Sequence, residues 1–125
     1  MEVVVREAWW EKDSEAIKRV RNAVFVKEQG IPEVLDFDGR DHRCFHVLAT
    51  TSDGRPVGTG RLDRGGEIGR LAVLPDSRGQ GIGKRLLLLL MLIAVREGIS
   101  RLRLHAQKPV VGFYKKFGFA EVGES

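Results

Sequence analysis

Between Leu71 and Lys84 an apolar extended run meets Pro75 and passes into Arg78-Gly79-Gln80-Gly81-Ile82-Gly83-Lys84, directly ahead of the ten-residue apolar run Leu86 to Val95. A strand must end there, a loop must turn, and a helix must start among three glycines. Glycines let backbone N–H groups approach a ligand closely, and a helix N-terminus adds unpaired donors and positive potential. Arg78 and Lys84 flank the site with fixed charge. These are the parts of a phosphate or pyrophosphate cradle; the plainer alternative is a glycine-rich turn that only begins a helix. Spacing excludes two phosphate loops. The G-x-x-x-x-G-K-[ST] pattern fails because Arg85 follows Gly83-Lys84 and Arg78 stands where its first glycine belongs. The pattern G-x-G-x-x-G fails because Gly79 and Gly81 are followed by Lys84.

The frame around that loop reads as one domain, residues 1–125, since no repeat, linker or low-complexity tract divides it. An apolar fraction of 42% with 30% charged residues excludes disorder as the default. The single cysteine, Cys44, excludes an internal disulfide framework and suits a reducing compartment. Charges at Glu2, Arg6 and Glu7 stand where a signal peptide needs an apolar run, and Leu86–Val95 is about half of what a bilayer requires. The expectation is a cytoplasmic protein without a membrane segment.

Periodicity orders the elements. Val3 and Val5 alternate with more polar neighbours and predict a strand over 2–8. Asp13 and Ser14 are placed to cap a helix whose apolar face is Ala16, Ile17, Val20, Ala23 and Val24, stopped by Gly30-Ile31-Pro32. Residues 31–43 are acidic and aperiodic, a loop. Strands at 44–52 and 55–63 flank the hairpin signal Asp53-Gly54, and a third runs from Glu67 to Leu74. A helix over 81–97 carries the apolar run and is expected to be buried on most of its circumference. A strand at 101–106 puts Leu102 and Leu104 on one face. Pro109 begins a last helix bearing Val110, Phe113, Tyr114 and Phe117, Gly118 ends it, and 119–122 is extended again. The order β-α-β-β-β-α-β-α-β predicts an α/β (α+β) fold on a mixed sheet, with a parallel crossover from 67 to 106.

Charge is uneven. Residues 1–63 hold ten basic and twelve acidic side chains, a net of −2, and residues 64–125 hold eleven and five, a net of +6. The second half favours an anionic ligand and the first a cationic one, although chance variation on a solvated surface gives the same sums. The basic residues are scattered and no nucleic-acid-binding pattern accompanies them, so no nucleic-acid partner is expected.

The spacing R-x-x-G-x-G, from Leu71-Ala72-Val73-Leu74-Pro75 through Arg78-Gly79-Gln80-Gly81-Ile82-Gly83, resembles the GNAT superfamily of acetyl-CoA-dependent N-acyltransferases. Leu104–Gln107 and Phe113–Phe119 resemble that family's next strand and helix, and Val24–Gly30 resembles a small prokaryotic subgroup of mostly unassigned substrate. The resemblance covers nearly the whole chain. It implies a mostly antiparallel sheet flanked by helices. It further implies that the backbone of Leu71, Ala72 and Val73 holds the pantetheine arm, with the Val73 N–H polarising the thioester carbonyl. The amides of Arg78, Gly79, Gln80, Gly81, Ile82 and Gly83 would grip the pyrophosphate with Lys84 nearby, and Tyr114 would protonate the departing thiolate. Apart from the resemblance, Tyr114 reads as a packing residue beside Phe113 and Phe117. Many members hold the coenzyme with an asparagine before the last helix; Lys108-Pro109 occupy that region here.

An amine acceptor bound as ammonium must lose a proton before attack. The resemblance places a carboxylate a few residues before Val73, but Gly69 and Arg70 stand there. Glu67 shares a strand face with Val73 by alternation, yet six residues are roughly 20 Å. Glu28, Asp36 and His46 are the substitutes. Their plainer readings are a solvated helix end, a loop cap and a strand histidine satisfied by a backbone carbonyl. Cys44 has no nucleophile motif, and with His42 and His46 it makes no convincing ligand set, so no metal is expected. The function implied is acetyl transfer to an unidentified small-molecule amine by direct attack. The alternative is a non-catalytic module that binds coenzyme A as sensor or structural ligand. Family members add a strand beyond the equivalent of 119–123, and the chain ends at Ser125. That final strand is therefore expected to be missing. The open edge at Leu102 and Leu104 then favours a homodimer over pairing with 119–123 or a wet edge.

Overall fold

The computed structural model describes residues 2–105 and 111–120. The five strands are β1 (Val3–Ala8), β2 (Phe45–Thr51), β3 (Pro56–Leu62), β4 (Glu67–Val73) and β5 (Arg103–Leu104), in the spatial order of the chain. The first four pair antiparallel, and β5 joins β4 in parallel at Glu67–Arg103 and Ile68–Leu104. Helix α3 (Ile82–Arg96) makes that crossover and covers one face; α1 (Trp10–Arg21) covers the other. The predicted fold class stands, and β5 is the sheet edge among the described residues. The expected helix start at Pro109 and the segment 121–123 lie outside the described residues.

Helix α3 buries Ile82, Leu86, Leu87, Leu90, Ile93 and Ala94 against Val47, Val57 and Leu62. A Cβ at Gly58 would lie 2.9 Å from Leu86 Cδ1, so the missing side chain is what lets α3 approach β3 so closely. Truncating Leu86 to Ala costs about 2–5 kcal/mol on general grounds. The expectation of burial on most of the circumference needs correction: Leu88, Leu92 and Val95 are 40%, 65% and 77% exposed. An apolar run alone does not say how much of a helix finds a partner. No helix among the described residues is long and apolar enough to cross a membrane.

Helix α1 begins four or five residues earlier than the expected caps Asp13 and Ser14 imply. Trp9 is its N-cap residue, and the Asp13 carboxylate accepts the Trp9 N–H (3.0 Å) from inside the first turn. Beyond Arg21 the helix continues without a break as a π-helical stretch, Asn22–Glu28, ending as predicted at Gly30 (φ 74°). The loop that follows holds a single turn, α2 (Glu33–Asp36), and a 3-10 turn at Asp41–Arg43.

Strand β4 contains a bulge that the alternation argument did not anticipate. Arg61 pairs with Gly69 and Thr59 with Ala72, so Gly60 faces both Arg70 and Leu71. One extra residue inverts the side-chain faces beyond it. Ile68 therefore packs under α3 while Ala72, four residues on, packs with Val20 and Val24 under α1. Glu67 and Val73 thus stand on opposite faces, which corrects the expectation that they share one. Arg70 bears the distortion at φ 52°, unusual for a side chain with a Cβ.

Candidate active site

The cleft of about 540 Å³ beside the end of β4 gathers most of the predicted cofactor-binding residues. Leu71, Ala72, Val73, Arg78, Gly79, Gly81, Ile82, Gly83 and Lys84 line it together with Phe113 and Tyr114. Val24, Gln29 and Ser77 also line it. Gln80 does not, although it stands between two glycines that do. Pairing of β4 with β5 ends at Ile68, which leaves the later part of β4 bordering this cleft. The Leu74 N–H donates to Val57 O across the β3 side (2.9 Å), so by alternation the Val73 backbone faces the opposite side. Arg78 Nε–H donates to Val73 O from there (2.8 Å).

The glycine loop fits a phosphate-bearing group. Gly79 and Gly81 hold φ near +80°, and a Cβ on either would meet no heavy atom within 4 Å. Gly81 is the N-cap of α3, and the helical ladder opens with Arg85 N–H on Gly81 O (3.1 Å). The N–H groups of Ile82, Gly83 and Lys84 precede that bond and have no carbonyl a turn back within the helix. Gly83 borders the cleft differently, with its Cβ position 3.8 Å from Val73 and 3.9 Å from Phe113.

Tyr114 belongs to the short helix α4 (Val111–Lys115) and packs edge-on against Phe113 and Phe119. Burial pushes its phenol pKa up, so the O–H keeps its proton at neutral pH. The packing reading holds of this residue, which also lines the cleft.

The three candidates for the base separate. Glu28 closes the π-helical stretch beside the lining residue Gln29, and its carboxylate receives both terminal nitrogens of Arg78 (2.7 and 2.8 Å). That bidentate bond holds the Glu28 carboxyl below the usual range. Asp36 is buried and occupied by Arg21 (3.2 Å) and Arg70 (3.2 Å). His46 is the clearest correction. It is buried on β2, stacked on Trp10 at 5.2 Å, with Nε2–H donating to the Asp41 carbonyl (2.8 Å) and Nδ1 without a partner. Burial, only partly opposed by that bond, lowers its pKa and keeps the ring neutral. The plain reading, a strand histidine satisfied by a carbonyl, is the right one.

Sequence reasoning missed a network that fixes the acidic loop to the sheet. Arg21, fully buried, donates to Asp36 and Asp41; Arg61 donates to Asp38 and Asp41; Arg70 reaches Asp36, Asp38 and the Leu35 carbonyl. Three guanidinium groups thus meet three carboxylates. Burial alone would raise the Asp41 carboxyl, but the bonds and charges of Arg21 and Arg61 outweigh it and hold it low. The signal was present: Arg21 stands four residues after Ile17 on the apolar stripe of its own helix. A larger groove of about 780 Å³ between α1 and residues 33–42 contains none of the predicted site residues. Among the described residues no group of His, Cys, Asp or Glu could hold a metal ion.

The model of the acetyltransferase (GNAT) family matches residues 5–119. The chain belongs to that family. A Bacillus subtilis protein named provisionally as an acetyltransferase is 37% identical over 120 residues, 91% of this chain and 81% of its own. The structure is similar to an acyl-CoA N-acyltransferase from Pseudomonas aeruginosa, with a TM-score of 0.86 and 28% identity over 98% of this chain and 92% of that one. It shares its fold with a Clostridium acetobutylicum protein crystallised with acetyl-CoA, at a TM-score of 0.78 and 20% identity over 99% and 94% of the two chains. Membership of the GNAT family accords with acyl-CoA-dependent acetyl transfer.

Proposed function

We propose that the protein transfers the acetyl group of acetyl-CoA to the nitrogen of a small-molecule amine, by direct attack in a ternary complex. The observation that carries this reading is that the end of β4, the glycine loop and Tyr114 line one cleft. Acetyl-CoA supplies the activated acyl group as a thioester. The N–H groups of the glycine loop and the start of α3 bind its phosphates, with Lys84 beside them. The Val73 N–H is the oxyanion donor, and its preorganisation by β3 pairing means that it need not reorient as charge develops. The ammonium first loses one proton to solvent. An N–C bond then forms as the C–S bond breaks, Tyr114 gives its proton to the leaving sulfur, and the second proton shed by the nitrogen restores the phenol by way of solvent. The raised pKa of Tyr114 keeps the phenol protonated at neutral pH, so the proton is present to be given.

The second reading, a module that binds coenzyme A without turnover, is favoured by the engagement of Glu28 with Arg78. Tyr114→Phe separates the two. The acyltransferase reading expects kcat to fall about 100-fold or more with coenzyme affinity unchanged by calorimetry. Coenzyme binding by the unmutated protein with no acetylation across a broad amine panel would leave only the module.

A further inference from the structure

Arg78 and Glu28 join the glycine loop to the π-helical end of the first helix. Both are part-exposed, at 43% and 36% of the side chain, and the bond is a two-pronged fork at 2.7 and 2.8 Å. The same fork geometry fits two oxygens of a phosphate. An exposed ion pair contributes little, so replacing one anion by another on the same guanidinium is nearly free. A diphosphate on the neighbouring amides also brings more negative charge than a single carboxylate. Meanwhile Nε–H on the Val73 carbonyl pins the stem, so the terminal nitrogens can change partners without the side chain leaving the cleft.

We propose that Glu28 and the coenzyme phosphates compete for the Arg78 guanidinium, so that coenzyme binding frees the Glu28 carboxylate to receive an acceptor's ammonium group. The inference rests on the coenzyme reading of the cleft given above. While paired, Glu28 is neutralised and its carboxyl is held low by Arg78. Once released it offers a full negative charge and greater basicity next to Val24 and Gln29, residues that line the cleft. The amine class follows: aliphatic, protonated in solution, and recruited after the coenzyme.

The sign of one mutation tests the competition. Coenzyme A and S-acetylpantetheine, which lacks the phosphates, are titrated calorimetrically into the unmutated protein, Glu28→Gln and Glu28→Ala. Competition expects both variants to bind coenzyme A about 2- to 5-fold more tightly, the range an exposed pair is worth. Affinity for S-acetylpantetheine stays the same. A pair that merely props the loop predicts the reverse, weaker binding in both variants, and that result, or no change, overturns the proposal. Failure of the unmutated protein to bind either ligand overturns the coenzyme reading itself and this inference with it. The ammonium half is read by saturation-transfer NMR with n-butylamine. A signal that needs both coenzyme A and Glu28 is expected; equal signals from the unmutated protein and Glu28→Gln would sink it.

Discussion

The same chemistry, guanidinium against carboxylate, appears at two depths in this molecule and does two different things. Behind residues 31–43, Arg21 is wholly buried and Arg61 nearly so, and Asp36, Asp38 and Asp41 of that loop are each paired with a guanidinium. At the cleft, Arg78 and Glu28 are wetted on both sides of their bond. Removing one member of the buried set leaves a charge in a poorly polarisable interior, whereas water takes the place of a lost partner at the cleft. Depth therefore separates the pairs that hold residues 31–43 in place from the exposed pair proposed to change partners.

Arg21→Met is the strongest way to break that contrast. It leaves Asp36 with Arg70 alone and Asp41 with Arg61 alone, and a loss of about 3 kcal/mol or more is expected in urea denaturation. Replacing Asp36 by Leu in the same protein should recover part of the loss, because an apolar pair avoids the desolvation of both charges. A single variant as stable as the parent would show that depth is not what distinguishes the two sets.

What could be read beforehand divides along similar lines. Patterns that repeat were legible: the alternation of Val3 and Val5, the Asp53-Gly54 turn, and the glycines from Gly79 to Gly83. Each states its own geometry within a few residues, and β1 to β4 and α3 follow within one or two positions. Features set by a distant partner were not. The β4 bulge leaves no mark in Glu67–Val73 itself, because it exists only in register with Gly60. The destiny of Glu28 depended on Arg78, fifty residues away in sequence. His46 looked like a base because a histidine's chemistry is visible in sequence and its burial under Trp10 is not.

His46 sharpens the comparison through pH. Its folded-state pKa lies below the ordinary 6.5, so the unfolded chain takes up the proton first as pH falls. Stability present above about pH 6.5 is then lost as pH falls toward the folded-state pKa, with a slope of at most about 1.4 kcal/mol per pH unit. Asp38 and Asp41, also held low, add a second loss that begins only below their ordinary 3.8. Urea midpoints between pH 8 and 5 should show the first slope in the unmutated protein and lose it in His46→Gln. A flat profile would mean that the buried half carries no titrating strain in this range.

The smallest effect is expected where the two sets differ most. A protein with both Arg78→Gln and Glu28→Gln loses its cleft pair but exposes no uncompensated charge, since each side chain already meets water. Surface substitutions of this kind rarely move stability much, and the melting temperature should stay within about 2 °C of the parent. Coenzyme affinity is another matter, because Arg78 would no longer be present to meet the phosphates. Calorimetry on the double variant should therefore show weaker coenzyme A binding at unchanged stability, the opposite of the Arg21→Met outcome. A melting temperature that falls as far as in Arg21→Met would mean that the cleft pair fastens the first helix to the glycine loop, and that its partners are not exchangeable.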